Sequence, residues 1–280
     1  MILKKRKQAV TGQSRRQRIT QYIVFVMFLS ANLPALADQG PLLAAASSLR
    51  SLWPALMQAY TYETSEAAPR VSFASSGLLS TQILNGAPFE IFLSADVASI
   101  KRLPPKLLKN TPKVFARGSL SLVVPEASPL ADGLSMTSLA AALSDSASKN
   151  SLRVAIPNPV HAPYGIAAQE ALHEAGIRDL SASQLLAAEN AAQTLQFVQT
   201  GAVAAAIVPQ VLVTSQGGSV VWAEVPELSY RPVEHVVAVF KSASASAETF
   251  VQWLPGKSAR QLMEEAGLQA TGGNLKEALP

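Results

Sequence analysis

The 280-residue chain contains no cysteine. That excludes disulfide staples, a thiol nucleophile, thiolate metal ligands and a lipid-modified cysteine anchor. Histidine is nearly as scarce. His161, His173 and His235 are the full set, they show neither HExxH spacing nor a partner cluster, and a structural or surface role is expected for each. No protein metal-ligand cluster and no cofactor are implied. A Gly-x-Ser-x-Gly elbow is absent. Gly256-Lys257-Ser258 resembles the end of a phosphate-binding loop, but Val251 stands where the first glycine must be and no evident strand precedes it. Ser146-Ala147-Ser148-Lys149 matches Ser-x-x-Lys but lies in a polar stretch without the accompanying signatures. Aromatic residues make up only 6% of the chain, and no basic run is interleaved with them, which disfavours nucleic-acid binding. The chain is therefore expected not to be an enzyme.

What is present begins with a basic head. Lys4, Lys5, Arg6, Lys7, Arg15, Arg16 and Arg18 precede any acid, an apolar run from Tyr22 to Leu29 follows, and Ala35-Leu36-Ala37 closes the segment. This order is that of a cleavable secretory signal over residues 1–37. The apolar run is too short, and too soon broken by Asn32 and Pro34, for a membrane span. Ser14-Arg15-Arg16 is only a weak twin-arginine signal, because Arg18 occupies a position where an apolar residue is expected. With the leader removed, the formal charge of +4 becomes −3, since seven of the 23 cations leave and all 19 acids stay. A soluble exported protein is expected, acting in the periplasm.

Along the remainder, apolar runs alternate between strand and helix spacing. Strands are expected at Leu42 to Ala46, Val71 to Ala74, Glu90 to Leu93, Ser119 to Val124, Arg153 to Ile156, Ala204 to Val208 and Val233 to Phe240. Leu49, Leu52, Trp53, Leu56 and Tyr60 recur at helical spacing, with Pro54 tolerable only near the helix start. Further helices are expected after Leu78, over Ile166 to Glu174, over Ala191 to Thr200, and from Ala247 to Ala266. Ser144 to Ser148 and Ser242 to Ser246 read as loops. The βαβα order predicts α/β architecture with mainly parallel sheets.

Four junctions place a small or amide-exposing residue at a helix start after a strand or tight turn: Ser47/Ser48, Ser75/Ser76, Pro163-Tyr164-Gly165 and Glu189-Asn190-Ala191. Each has an ordinary reading as a cap or turn. Converging on one cleft, they would hold an oxygen-rich dianion by hydrogen bonds and helix dipoles, without lysine or arginine. Sequence spacing does not show convergence.

From Leu42 to about Leu268 the chain resembles the periplasmic molybdate-binding proteins of ABC importers. Ala45-Ala46-Ser47-Ser48-Leu49 is similar to that family's first strand-to-helix motif, and Phe73-Ala74-Ser75-Ser76-Gly77 to its second. Gly86-Ala87-Pro88 through Phe92-Leu93-Ser94-Ala95-Asp96 is similar to its Gly-Ala-Pro…Phe-x-Ser-Ala-Asp block. Asn158-Pro159-Val160-His161-Ala162-Pro163-Tyr164-Gly165 follows its Asp-Pro-x-His-x-Pro-x-Gly segment, with Asn158 in the aspartate position. Ala188-Glu189-Asn190-Ala191 and Ala206-Ile207-Val208 complete the series.

The resemblance implies a two-lobed type II periplasmic binding fold, each lobe a mainly parallel sheet flanked by helices. Residues 38–120 and 233–280 would form the first lobe and 121–232 the second, with Ser119 to Val124 and Val233 to Phe240 as paired crossover strands of a hinge. The implied ligand is molybdate or tungstate and the implied partner an ABC importer membrane permease, the receptor itself being a monomer. Carried over, Ser48 and Ser76 would supply hydroxyl and N–H donors, and Tyr164 and Ala191 backbone N–H donors. Ser48 is preferred because it keeps Leu49, Leu52, Leu56 and Tyr60 in register with the family's apolar face; Ser47 and Ser75 are neighbours. The family's tyrosine after the strand Ala206-Ile207-Val208 is replaced by Pro209, with Gln210 or water as compensation. The alternatives are another anion (sulfate, phosphate or a small organic acid) and, from a different class, a serine-dependent hydrolase or transferase.

Overall fold

The computed structural model describes residues 40–145, 152–178, 180–214, 220–272 and 276–277. The leader at 1–37 and the Ser-x-x-Lys match at Ser146 to Lys149 lie outside the described residues. The described chain builds two sheets within one unit, Gly40–Pro280.

The apolar run Leu42–Ala46 is β1, buried from Leu43 onward because it has a strand on either side. After a 3-10 turn at Ser47–Leu49, α1 spans Trp53–Thr64. Pro54 lies in its first turn, where the missing N–H costs nothing. β2 (Arg70–Ala74), α2 (Ser76–Leu84), β3 (Ile91–Ser94) and α3 (Val97–Lys101) follow. Asp96 caps α3, its carboxylate accepting from Ser99 N at 3.0 Å. β4 (Lys113–Gly118) then runs almost directly into β5 (Leu120–Pro125).

The second half repeats the alternation. α4 (Met136–Ser144), β6 (Val154–Pro157), α5 (Pro163–Glu174), β7 (Leu185–Ala188), α6 (Ala191–Gln199), β8 (Ala205–Pro209), α7 (Gln210–Thr214) and β9 (Val220–Glu224) lead to β10 (Val233–Val239). α8 (Ala245–Trp253), α9 (Lys257–Glu265), β11 (Leu268–Ala270) and β12 (Lys276–Glu277) close the chain.

The first sheet has the order β11-β4-β10-β3-β1-β2, with β12 also on β4; the second has the order β7-β6-β8-β5-β9. β2-β1-β3 and β7-β6-β8 are the parallel ladders that βαβ units require. The other pairings, made by β4, β5 and β9 to β12, are antiparallel. Both sheets are thus mixed rather than mainly parallel, because the segments passing between them enter their new sheet running backwards.

The expected pairing of the two crossover strands is also corrected. β5 lies between β8 and β9 in the second sheet, and β10 between β3 and β4 in the first. The crossings themselves are Ser119, between β4 and β5, and the stretch from β9 to β10. Nor is Ala247 to Ala266 one helix. Pro255 supplies no N–H to the ladder, α8 ends at Trp253, and Gly256 caps a new helix, α9. This places Gly256-Lys257-Ser258 between two helices, away from any strand-to-helix phosphate loop. Strands β4, β7, β9 and β11 and helices α3 and α4 have no counterpart in the periodicity reading.

Burial anchors each sheet separately. Against the first, Tyr60 meets Phe250 and Trp253 edge-on at 5.4 and 5.3 Å between ring centroids. Around the second, Leu120, Leu122, Ile156, Leu172, Ile207 and Tyr164 form one cluster. The Tyr164 side chain extends to the end of β4. A Cβ placed on Gly118, the last residue of β4, would stand 1.8 Å from its hydroxyl. Only glycine leaves this room at the crossing. Gly118→Ala should therefore destabilise the chain by about 1–3 kcal/mol, the usual cost of overpacking. Urea unfolding checks this, and Tyr164→Phe in the same background should return part of the loss; an unchanged midpoint for Gly118→Ala would refute the contact.

Candidate functional site

Parallel strands deliver their following helices to the same edge of a sheet. β1 and β2 run directly into Ser47 and Ser75, and β6 and β7 lead into the starts of α5 and α6. The four serines 47, 48, 75 and 76 are each at most 3% exposed. Buried hydroxyls need partners, and three of these four have one.

Ser75 occupies the cap position of α2 but makes no side-chain capping bond. Its Oγ stands instead 2.8 Å from His161 Nδ1, on the segment leading into α5. The backbone repeats this link, since Gly77 N donates to His161 O at 2.9 Å. Ser76 Oγ accepts from Ala95 N at 2.9 Å, which fixes the start of α2 against the end of β3. Ser47 Oγ accepts from Ala191 N, the first residue of α6, at 3.2 Å. Asn190 caps that helix through Gln193 N at 3.1 Å. Ser48 Oγ is buried without a hydrogen-bond partner.

The structure therefore brings Ser47, Ser75, Ser76 and Ala191 to one interface between elements of the two sheets, with Tyr164 three residues beyond His161. Three helices present their N-termini there: α2, α5 and α6. The fourth junction is corrected, because Ser47–Leu49 is a single 3-10 turn and Pro54 marks the helix start later in the chain. Such a turn orients N–H groups but carries little helix dipole.

Gln210 is also corrected. Its N–H donates to Ser119 O at 2.9 Å, and its side chain packs on Gly267, with Cγ 3.2 Å from where a Cβ there would lie. It lines a cavity of about 370 Å³ with Ser119, Glu224, Glu227, Glu264 and Gln269, and none of the four serines lines that cavity. Gly267 has a φ of +82°, a conformation that glycine adopts freely, and its lack of a side chain admits Gln210.

Sequence reasoning missed His161, which was assigned a structural or surface role. Its place in the Asn158 to Gly165 motif was visible, but its contact with Ser75 spans 86 positions. His161 Nε2 lies 4.0 Å from Glu189 Oε1, so hydroxyl, imidazole and carboxylate stand in the order of a hydrolytic triad. That carboxylate is too distant to orient the ring by a direct hydrogen bond, and the serine is buried. The group is better described as a clasp between elements of the two sheets.

Tyr164 has a second attachment. Its hydroxyl lies 2.9 Å from Nε2 of His235, a fully buried residue of β10. The β4–β10 register shifts between His235 and Val236, where β4 carries one extra residue, Phe115. Burial pushes the Tyr164 phenol up and holds His235 down at about 3, so both are neutral. His235 Nδ1 is buried without a partner.

Among the described residues no helix is long and apolar enough to cross a membrane, and no group of three or more His, Cys, Asp or Glu side chains is arranged to hold a metal ion.

Residues 41–269 match the model of the bacterial extracellular solute-binding protein family. The chain belongs to the bacterial extracellular solute-binding proteins. Among its relatives, the molybdate-binding protein ModA of Escherichia coli (strain K12) is 32% identical over 240 residues, covering 83% of this chain and 90% of that protein. The solved periplasmic molybdate-binding protein of Azotobacter vinelandii is 26% identical, with a TM-score of 0.68 over 81% of this chain and 98% of its own. The sulfate-binding protein SubI from Mycobacterium tuberculosis H37Rv, 15% identical, shares the fold with a TM-score of 0.67 over 83% and 87% of the two chains. These relatives are binding proteins and not enzymes, and in a solute-binding protein the Ser75–His161 pair needs no catalytic reading.

The buried neutral His235 gives this solute-binding protein an acid sensitivity of definite sign. Unfolded histidine takes its proton near pH 6.5, whereas the folded chain holds His235 neutral down to about pH 3. As pH falls below 6.5 the unfolded state binds the proton first. Stability contributed by this residue is complete above pH 7 and declines towards pH 3, by up to about 1.4 kcal/mol per pH unit. Urea unfolding at pH 7, 5.5 and 4 should show a steeper loss for the parent than for His235→Gln, and parallel losses would assign the sensitivity to other groups.

Proposed function

We propose that the chain is the extracytoplasmic receptor of an ABC importer for a tetrahedral oxyanion, molybdate or tungstate, acting in the periplasm. The ligand would sit between a first lobe of residues 38–120 and 233–280 and a second of 121–232. The observation that carries this reading is the meeting of buried hydroxyls with the N-termini of α2, α5 and α6 at one interface between elements of the two sheets. A dianion there would take hydrogen bonds from neutral donors and lie at the positive ends of three helix dipoles. The molybdate-binding relatives supply the ligand class.

Ser76 would contribute its hydroxyl and N–H from the first lobe. Ser47 is favoured over Ser48 as its partner, because the Ser47 hydroxyl already stands opposite Ala191 N at 3.2 Å. From the second lobe, Ala191 and Tyr164 would contribute backbone N–H groups. Binding would be largely an exchange: Ala191 N–H leaves Ser47 Oγ for the oxyanion, and the freed hydroxyl turns to donate to the same ligand. Lobe closure around the anion would create the surface that the permease reads.

Pro209 is buried at the end of β8 and offers neither hydroxyl nor N–H, and Gln210 points to Gly267. Relative to the tyrosine that the family resemblance implies, one hydrogen bond to a charged ligand is lost, at about 1.5–3 kcal/mol. Selection against sulfate rests on cavity size, since the ions share shape and charge.

Calorimetric titration of residues 38–280 with molybdate, tungstate, sulfate and phosphate tests the reading. Molybdate or tungstate should bind well below sulfate and phosphate in dissociation constant. Ser76→Ala and Ser47→Ala should each weaken binding by at least about tenfold, as expected for a lost bond to a charged group, while Ser48→Ala and Lys257→Ala stay close to the parent. Unchanged affinity in Ser76→Ala would sink the site, and preference for sulfate or phosphate would change the ligand.

A further inference from the structure

The proposed function uses only the backbone N–H of Tyr164, yet its side chain is buried and its hydroxyl is bonded. It leaves the N-terminus of α5, in the second-sheet layer, and ends on His235 of β10, in the first sheet. There it passes over Gly118, which pairs with Val233 where β4 and β10 begin to diverge from the crossings. Three separate features serve this one contact: glycine at 118, a register shift in β4 opposite the His235–Val236 step, and tyrosine at 164.

We infer that Tyr164 is a positioning residue for the oxyanion site, pinning the start of α5 to the strand crossing and so setting how far the two lobes close. The inference rests on the receptor reading above. Its physical basis is that the bond joins α5, in the second-sheet layer, to β10 of the first sheet. A hydrogen bond of 2.9 Å tolerates little change in separation, so it is made only near the angle at which α5 and α6 face Ser47 and Ser76. The Tyr164 hydroxyl is the hydrogen-bond partner of the buried His235 ring, whose other nitrogen has none. Losing that hydroxyl leaves the ring without its bond and removes one restraint on the angle. The closed population then falls, and apparent affinity falls with it by the same factor.

The chain lacks cysteine, so Gln82→Cys on α2 and Gln196→Cys on α6, both exposed, give unique spin-label sites on the two lobes. Pulsed electron resonance reads their separation without ligand. Tyr164→Phe should lower the short-distance population and weaken molybdate binding by a matching factor, about fivefold. In a His235→Phe background the same substitution should change neither quantity. Gly118→Ala, which displaces the hydroxyl without removing it, should act in the same direction as Tyr164→Phe. Parent-like distances for Tyr164→Phe, with only a lowered melting temperature, would overturn the inference and leave the contact merely structural. If the parent itself ignores molybdate, the ligand reading fails, and the ligand-free distances still decide the role of Tyr164.

Discussion

A small dianion can be held without lysine or arginine only where several backbone N–H groups are free to point at one place. Strand-to-helix junctions are where a folded chain leaves such groups unspent, since the first turn of every helix has N–H groups with no partner inside it. Parallel pairing then decides how many junctions share an edge. The ladders β2-β1-β3 and β7-β6-β8 each put their helix starts on one edge, and the two crossings of the chain set those edges face to face. The antiparallel strands added around these ladders carry the crossings and share the core with the parallel ones.

The facing edges are already bonded to each other. Ser47 to Ala191, Ser75 to His161 and Gly77 to the His161 carbonyl link elements of the two sheets directly. This follows from the cost of leaving buried polar groups unpaired, which exceeds the modest net gain from pairing them. In the proposed site a ligand would exchange bonds rather than add them. Affinity would then be governed by the charge on the incoming oxygens, which the neutral hydroxyl being displaced lacks.

Most strands of the parallel ladders, though not β7, were legible, because runs such as Leu42–Ala46, Val154–Pro157 and Ala205–Pro209 are short, apolar and bounded by turn residues. β4 was not, since Lys113 and Arg117 sit on a strand that is exposed at those positions and buried between them. The sheet directions were misjudged for a topological reason: periodicity reports an element and not the sense in which it re-enters a sheet. At the site, the serine and asparagine junctions could be read from the chain, and their convergence could not. The choice between Ser47 and Ser48 turned on one contact 144 residues away. His161 and His235 were set aside as lone histidines, and each proves to bond across the two sheets, through partners 86 and 71 residues distant.

Pro209 shows why a single departure need not empty the site. In the register observed, Pro209 pairs with Leu120, the first residue after the crossing, and Gln210 N–H is bonded to the Ser119 carbonyl. Downstream, Ser51 donates to the Val211 carbonyl, and Thr214 is bonded to the Ala266 carbonyl. The end of β8 is thus committed to bracing the crossing against both the first turn of the chain and its last helix. A proline at that point holds φ fixed and withdraws no donor that the brace requires. In the proposed site the hydroxyl missing there would be a loss to ligand binding, set against a stiffer junction between the sheets. Stiffness would favour binding only if the angle it holds is the one that turns the starts of α5 and α6 towards Ser47 and Ser76.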